Sequence, residues 1–411
     1  MLPIPRFAPS VTLAELIRCG VHYPAGGNST RYFATRFAEY LGGKHTVIAP
    51  SGRIALAALL NSFLFRKGRE VVLPALTFHS VPSAVLDAGL VPRFVDVRPD
   101  TLCLDETKLA AAVSDRTAAV IPTHLYGRAC EMDTIVGIAK SYGAMVIEDC
   151  AQACGASYRG KKLGSIGDGA FFSFGPTKNI STLWAGAAVT LRPGPYEKSA
   201  AYVVGFPALT ASKLVSRAVF SAAMRMISRP IVWAAFVAPL VRWYASRGID
   251  LIERATSESP GARPEAYGAD RMPRPYQGSL GVSQLTKLDA QNERRIRNGE
   301  RLLAALRQRA IDGLGLPADA PRGENIFMSF PVRVRERDAF RRALLRRGVD
   351  SASGYMRAGP GSSRIRSGPR NGSRGGGRGS RDGAPADLSG VECATHRTHR
   401  RRRRRRAPRN P

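Results

Sequence analysis

Between residues 35 and 200, short apolar runs alternate with stretches of helical length. HTVIAPSG (45–52) predicts a strand that leads into a turn, and the following RIALAALLNSFLF predicts a helix ending near Gly68. EVVLPAL (70–76) reads as a strand and SVPSAVLDAG (80–89) as a helix. VPRFVDV (91–97), TAAVIPTHLYG (117–127) and AMVIED (144–149) are further strands, and MDTIVGIAKSYG (132–143) is a helix closed by Gly143. AFFSFGPTKNI (170–180) begins as a core strand, turns through Gly175 and Pro176, and presents Lys178. Strands alternating with helices predict an α/β fold with a mainly parallel sheet covered on both faces. Ligands of such sheets collect beyond the carboxyl ends of the strands.

The pattern then changes. Residues 201–260 read as a hydrophobic helical insertion whose longest uncharged run, Pro230–Val241, is too short to span a bilayer. Arginines 217, 225, 229, 242 and 247 punctuate it. Two readings stay open: helices packed on the body or on a second subunit, or an interfacial pair lying on a membrane through residues 214–247. Residues 261–350 predict an interface segment, one long amphipathic helix over 278–311, a strand at NIFMSFPVRV (325–334) and a helix at RDAFRRALLRRG (337–348). These form a small α+β domain that stops incomplete. Residues 1–200 make the large domain.

Composition alters the picture mainly at the C-terminal end. Of a formal charge of +30, residues 351–411 carry +13, from 16 Arg against three acids. This glycine- and arginine-rich stretch lacks apolar periodicity and is expected to be a disordered tail. It reads either as a polyanion-binding arm or, the reading composition favours, as the product of a reading-frame shift in GC-rich coding sequence. Six cysteines without a CxxC pair point to reduced thiols, with no metal site. MLPIPRFAPS shows no signal peptide, so the expected location is cytoplasmic, with membrane association open.

Three strand ends offer chemistry besides Lys178. One ends in Ile147-Glu148-Asp149, followed by Cys150-Ala151-Gln152; one ends in Ala49-Pro50-Ser51-Gly52-Arg53 and opens a helix; one ends in Leu76-Thr77-Phe78. On one sheet edge they supply an amine, a carboxylate, a hydroxyl, helix-start amides and an aromatic plate. That set suits pyridoxal phosphate. Lys178 provides the Schiff-base amine, and Asp149 holds the proton on the ring nitrogen. The helix start at Ser51-Gly52 takes the phosphate. Ser173 reaches the phosphate, and Phe78 stacks on the ring.

The chain resembles the pyridoxal-phosphate-dependent nucleotide-sugar aminotransferases of the DegT/StrS type from about Arg31 to Met356. The resemblance rests on YFATRFAEYLGGKHTVIAPSG, GREVVLPALTFHSVPSAV, VPRFVDVRPDTLCLD, IPTHLYG, VIEDCAQACGASYRGKKLGSIGDGAFFSFGPTKN and, more faintly, YGADRMPRPYQGSLGVSQLTKLD. It implies a fold type I transferase with Lys178 as the Schiff-base lysine, Asp149 as partner of the ring nitrogen and Gln152 near the ring hydroxyl. It also implies phosphate binding by Ser173 and Ser51–Arg53, stacking by Phe78, a homodimer with interfacial active sites, and amino transfer from a donor such as glutamate to a nucleotide-linked keto sugar. The departures are Arg53 where the family often has Thr, Ala269 where it has Asn before Arg271-Met272, and the hydrophobic insertion. His124, in its HLYG turn, reads as structural, and Cys150 and Cys154 as packing residues. A sugar dehydratase of the same fold carries His at the lysine position, so Lys178 argues against it. The rival of another class is an inactive chain that binds polyanions through its tail.

Overall fold

The computed structural model describes residues 3–22, 28–66, 68–252 and 271–352, with the backbone of 357–358. The chain divides into two units, residues 1–365 and 366–411; the second lies wholly outside the described residues. So do Ala269 and all of the expected tail beyond 358.

A seven-stranded sheet organises the first unit. Its strands are β1 (His45–Ala49), β2 (Glu70–Pro74), β4 (Val91–Val95), β5 (Thr117–Val120), β6 (Met145–Asp149), β9 (Gly169–Ser173) and β10 (Gly186–Thr190). The spatial order is β1-β10-β9-β6-β5-β2-β4. All neighbours run parallel except at β10, which is antiparallel to both β9 and β1. Two two-stranded ladders complete the strands: β3 (Leu76–Thr77) with β11 (Arg357–Ala358), and β7 (Ser157–Tyr158) with β8 (Lys161–Lys162). Arg357 and Ala358, which composition assigns to the tail, thus pair as a strand.

Side chains alternate between two cores, as the two-residue period of a strand requires. Val72, Val120, Val146, Ala170 and Phe172 join one cluster; Val71, Leu73, Ala119, Ile121, Ile147 and Phe171 join the other. Because both faces are covered, the strands read as continuous apolar runs. Helices α2 (Ser29–Tyr40) and α6 (Met132–Ser141) cover the first face, with α5 (Glu106–Ala112) beside them. Helices α3 (Gly52–Ser62), α4 (Ser80–Asp87) and α7 (Pro193–Val204) cover the second. Helix α1 (Leu13–His22) precedes them in the chain.

The insertion forms two helices, α8 (Ala211–Ile227) and α9 (Pro230–Ser246), bent 75° at the break between them. A π turn at Trp233–Val237 interrupts α9. No single described helix is long and apolar enough to cross a membrane.

The rest departs from the periodicity in two places. The helix expected over 278–311 is two, α10 (Pro275–Leu285) and α11 (Leu288–Gln308). The break is a tertiary matter: Lys287 leaves the helical line and its Nζ bonds the Ser10 carbonyl at 3.2 Å and Glu15 Oε2 at 2.5 Å. The strand expected at 325–334 does not form. Asn325 and Arg333 make only isolated bridges, to Arg128 and Gly315, and Ile326 N–H donates to the Gly127 carbonyl at 2.9 Å. That stretch clamps the 126–129 turn instead of joining a sheet. Helix α12 (Arg337–Arg346) follows as the sequence predicts.

Candidate active site

The ends of β1, β2, β5, β6 and β9 meet along one edge of the sheet, because those five strands run in the same direction. Ser51 and Gly52 follow β1 and open α3. Ser51 is the N-cap, and its Oγ accepts the Ile54 N–H at 3.3 Å. The first N–H groups of a helix have no acceptor within it, so this end attracts an anion. Arg53, half-buried, is the second residue of α3.

The fit of α3 against the sheet needs glycine twice. A Cβ on Gly52 would stand 3.0 Å from Ser173 Cβ, and one on Gly186 would stand 2.5 Å from the Ser51 carbonyl carbon. The α3 start therefore packs directly on the end of β9 and the beginning of β10. Ser173 ends β9, and beyond it the chain turns so that Lys178 N–H donates to the Gly175 carbonyl at 3.1 Å. A Cβ on Gly175 would lie 3.8 Å from Lys178 Cγ and 3.9 Å from Ser173 Oγ, so lysine and serine flank one glycine.

Asp149 ends β6 and is buried. Its Oδ1 accepts the Ala151 N–H at 3.0 Å and its Oδ2 accepts the Thr123 hydroxyl at 3.2 Å. Burial raises the Asp149 pKa above the usual carboxylate value, opposed by the Ala151 N–H, the nearby charge of Lys178 and the Thr123 hydroxyl. A cation beside it would favour the charged carboxylate that burial alone disfavours. Thr123 Oγ1 also lies 3.4 Å from Thr77 Oγ1, so hydroxyls tie three strand ends together. Sequence reading missed Thr123: a lone threonine after a strand carries no periodic or motif signal.

The remaining predicted residues take these places. Phe78, half-buried, follows β3 and packs against His79 with ring centroids 4.3 Å apart. Gln152 is buried, and its Oε1 accepts the Tyr126 N–H at 3.0 Å, tying the β6 end to the turn after β5.

His124, Glu148 and Cys150 bring potential metal-ligand atoms within 4.8 Å of one another. Hydrogen bonds already engage the donors. His124 Nδ1 accepts the Cys130 N–H at 3.1 Å, which puts the ring proton on Nε2, 3.2 Å from Glu148 Oε2. Glu148 also accepts N–H groups from Gly164, Ile166 and Gly167 at 2.8–2.9 Å. Burial pushes the Cys150 thiol well above its ordinary value and Cys154 up to about 12, so neither is a ready nucleophile.

A sheet with one reversed strand, a lysine loop and a buried aspartate at adjacent strand ends define the class: the aspartate aminotransferase fold, fold type I. Residues 13–226 match the DegT/DnrJ/EryC1/StrS aminotransferase family, and the chain belongs to it. It is 43% identical over 158 residues to the GDP-perosamine synthase of Caulobacter vibrioides, covering 38% of this chain and 43% of that protein. It is 32% identical over 285 residues to the L-glutamine:2-deoxy-scyllo-inosose aminotransferase of Streptomyces paromomycinus, covering 69% of this chain and 58% of the relative. The chain thus spans about half the length of the curated relatives it matches. The solved structure of S. venezuelae DesV superposes with a TM-score of 0.60 at 28% identity, covering 84% of this chain and 83% of DesV. Helicobacter pylori PseC, at 19% identity and a TM-score of 0.62, shares the fold over 84% of this chain and 83% of its own.

Proposed function

We propose that this chain is a pyridoxal-phosphate-dependent aminotransferase that moves an amino group, from a glutamate-type donor, to the keto carbon of a nucleotide-linked sugar. The product enters a polysaccharide, lipopolysaccharide or glycosylated metabolite. The observation that carries the reading is the placement of Lys178 after β9 and of buried Asp149 at the end of adjacent β6, with the α3 start packed against Ser173.

These residues fit the cofactor. A buried carboxyl held by the Ala151 N–H and the Thr123 hydroxyl suits a protonated ring nitrogen, and the first N–H groups of α3, which have no acceptor within the helix, suit a phosphate. Bound there, pyridoxal phosphate supplies an electrophilic aldehyde and a ring that stabilises negative charge on the substrate carbon. Asp149 keeps the ring nitrogen protonated. Ser51, Gly52, Arg53 and Ser173 would hold the phosphate, Phe78 would pack on the ring, and Gln152 would serve the ring hydroxyl. Lys178 Nζ takes the proton from the donor carbon and delivers it in the course of the transfer, as general base and then acid. The reading extends, on the family resemblance, to a cytoplasmic homodimer, with residues 214–247 meeting a partner subunit or a membrane surface.

The test is borohydride trapping of the cofactor followed by peptide mapping. The adduct is expected on Lys178 and is expected to vanish, with transamination, in Lys178→Ala. An adduct on another lysine overturns the assignment.

A further inference from the structure

We propose that the bent helix pair α8–α9 is a docking surface for an anionic lipid bilayer, on which the protein rests without spanning it. A helix at the surface of a globular protein ordinarily turns its apolar stripe inward. Helix α8 does so only at its start, where Leu214 and Ala218 pack on the cluster of Val11, Cys19, Leu183 and Leu280, and it turns a second apolar line outward. Its inner line carries Arg217, Ser221, Arg225 and Ser228: Ser221 and Ser228 are buried, Arg217 donates to the Leu183 and Trp184 carbonyls, and Arg225 donates to the Pro9 carbonyl. Its outer line, at spacings of four and three, carries Val215, Val219, Ala223 and Met226, all exposed. Helix α9 continues the theme. Trp233, Ala238 and Val241 are buried, while Ile231 and Phe236 are each 74% exposed and Leu240 and Trp243 about half exposed. An apolar face of this length turned outward marks an interaction site.

Charge selects the occupant. Between residues 211 and 249 there are six Lys and Arg and no acid. Of these, Lys213, Arg229, Arg242 and Arg247 are exposed beside the apolar positions. Arg242 also donates to the Leu345 carbonyl of α12, a helix that carries exposed Arg342 and Arg346 and, in its first turn, exposed Asp338. A helix pair whose apolar face is bordered by cations and which itself carries no acid matches the interface of an anionic membrane, where side chains such as Trp and Phe enter the headgroup–acyl boundary. A second copy of this face repels the first by the same charges. On its inner side α8 is tied through Arg217 to the carbonyls of Leu183 and Trp184, so the outward face that docks is anchored on the body of the protein.

The experiment uses the full chain loaded with pyridoxal phosphate and vesicles of phosphatidylcholine with or without an equal part of phosphatidylglycerol. Flotation is expected with the anionic vesicles and not with phosphatidylcholine alone. The arginine tail alone can bind anionic vesicles, so the deciding variant changes no charge: Val219→Ser/Ile231→Ser/Phe236→Ser is expected to weaken flotation by about tenfold or more. Quenching of tryptophan fluorescence by brominated lipid is expected in the parent and largely lost in Trp243→Phe. Unchanged flotation of the triple variant overturns the proposal, as does a triple variant whose only change is a fall in solution mass from dimer to monomer. Neither readout depends on transamination, so it stands apart from the test of Lys178.

Discussion

His124 and Glu148 are both fully buried, and their side chains meet at 3.2 Å with the histidine proton directed at the carboxylate. The pair is a structural joint between the ends of β5 and β6. Glu148 receives four donors, two on each oxygen. Glu148→Gln leaves one acceptor oxygen and turns an NH2 group toward two of those donors. Each buried donor left without an acceptor costs about 1–3 kcal/mol, so a total loss of about 3 kcal/mol is expected. Urea unfolding measures it; a loss below about 0.5 kcal/mol would show that the joint is not what holds these strand ends.

Asp149→Asn keeps the shape and one of the two acceptor oxygens but removes the charge that favours a protonated ring nitrogen. The variant is expected to bind pyridoxal phosphate and to lose turnover on the order of a hundredfold. Absorbance titration follows the binding and a coupled glutamate assay the rate. Full turnover would take Asp149 out of its proposed role.

Gly186→Ala places a methyl where the Ser51–Gly52 backbone stands, 2.5–2.6 Å from three of its atoms. Backbone cannot swing aside as a side chain can, so the α3 start must move. Stability is expected to fall by about 2 kcal/mol, with cofactor affinity weakened about tenfold. Gly175→Ala, whose Cβ would meet nothing closer than 3.8 Å, is the control and is expected to leave stability nearly unchanged.

Glu15 joins α1 to α10 and α11. It accepts from Thr12, Ser283, Gln284 and Lys287. Burial works to raise its pKa, but the Lys287 ammonium and the Thr12 N–H and hydroxyl outweigh it and hold the carboxyl below its usual value. The folded pKa lies below the unfolded one, so this stabilisation is present above the ordinary carboxylate pKa of about 4.3 and is lost as pH falls through the folded value. Urea unfolding across the acid range is expected to show about 1 kcal/mol of that loss removed in Glu15→Gln. An unchanged acid limb would exclude Glu15 from the pH response.

The strands around the site were legible because each buries both faces and must be apolar throughout, and Lys178, Asp149 and Ser51–Gly52 were legible as polar breaks at their ends. Strand β10 was not read from the sequence. GAAVT is small and short, and only pairing between β1 and β9 makes it a strand. The break at Lys287 and the failure of 325–334 to join a sheet were decided by contacts with Glu15 and with the 126–129 turn, partners more than 190 residues away in the chain. Thr123 acquired its place only when β5 and β6 came side by side. Local sequence determines where the backbone is apolar and where it must turn, because those preferences act within a few residues. Which polar groups meet, and which apolar stripe faces outward on α8, depends on neighbours brought together by the whole fold, and no local period encodes them.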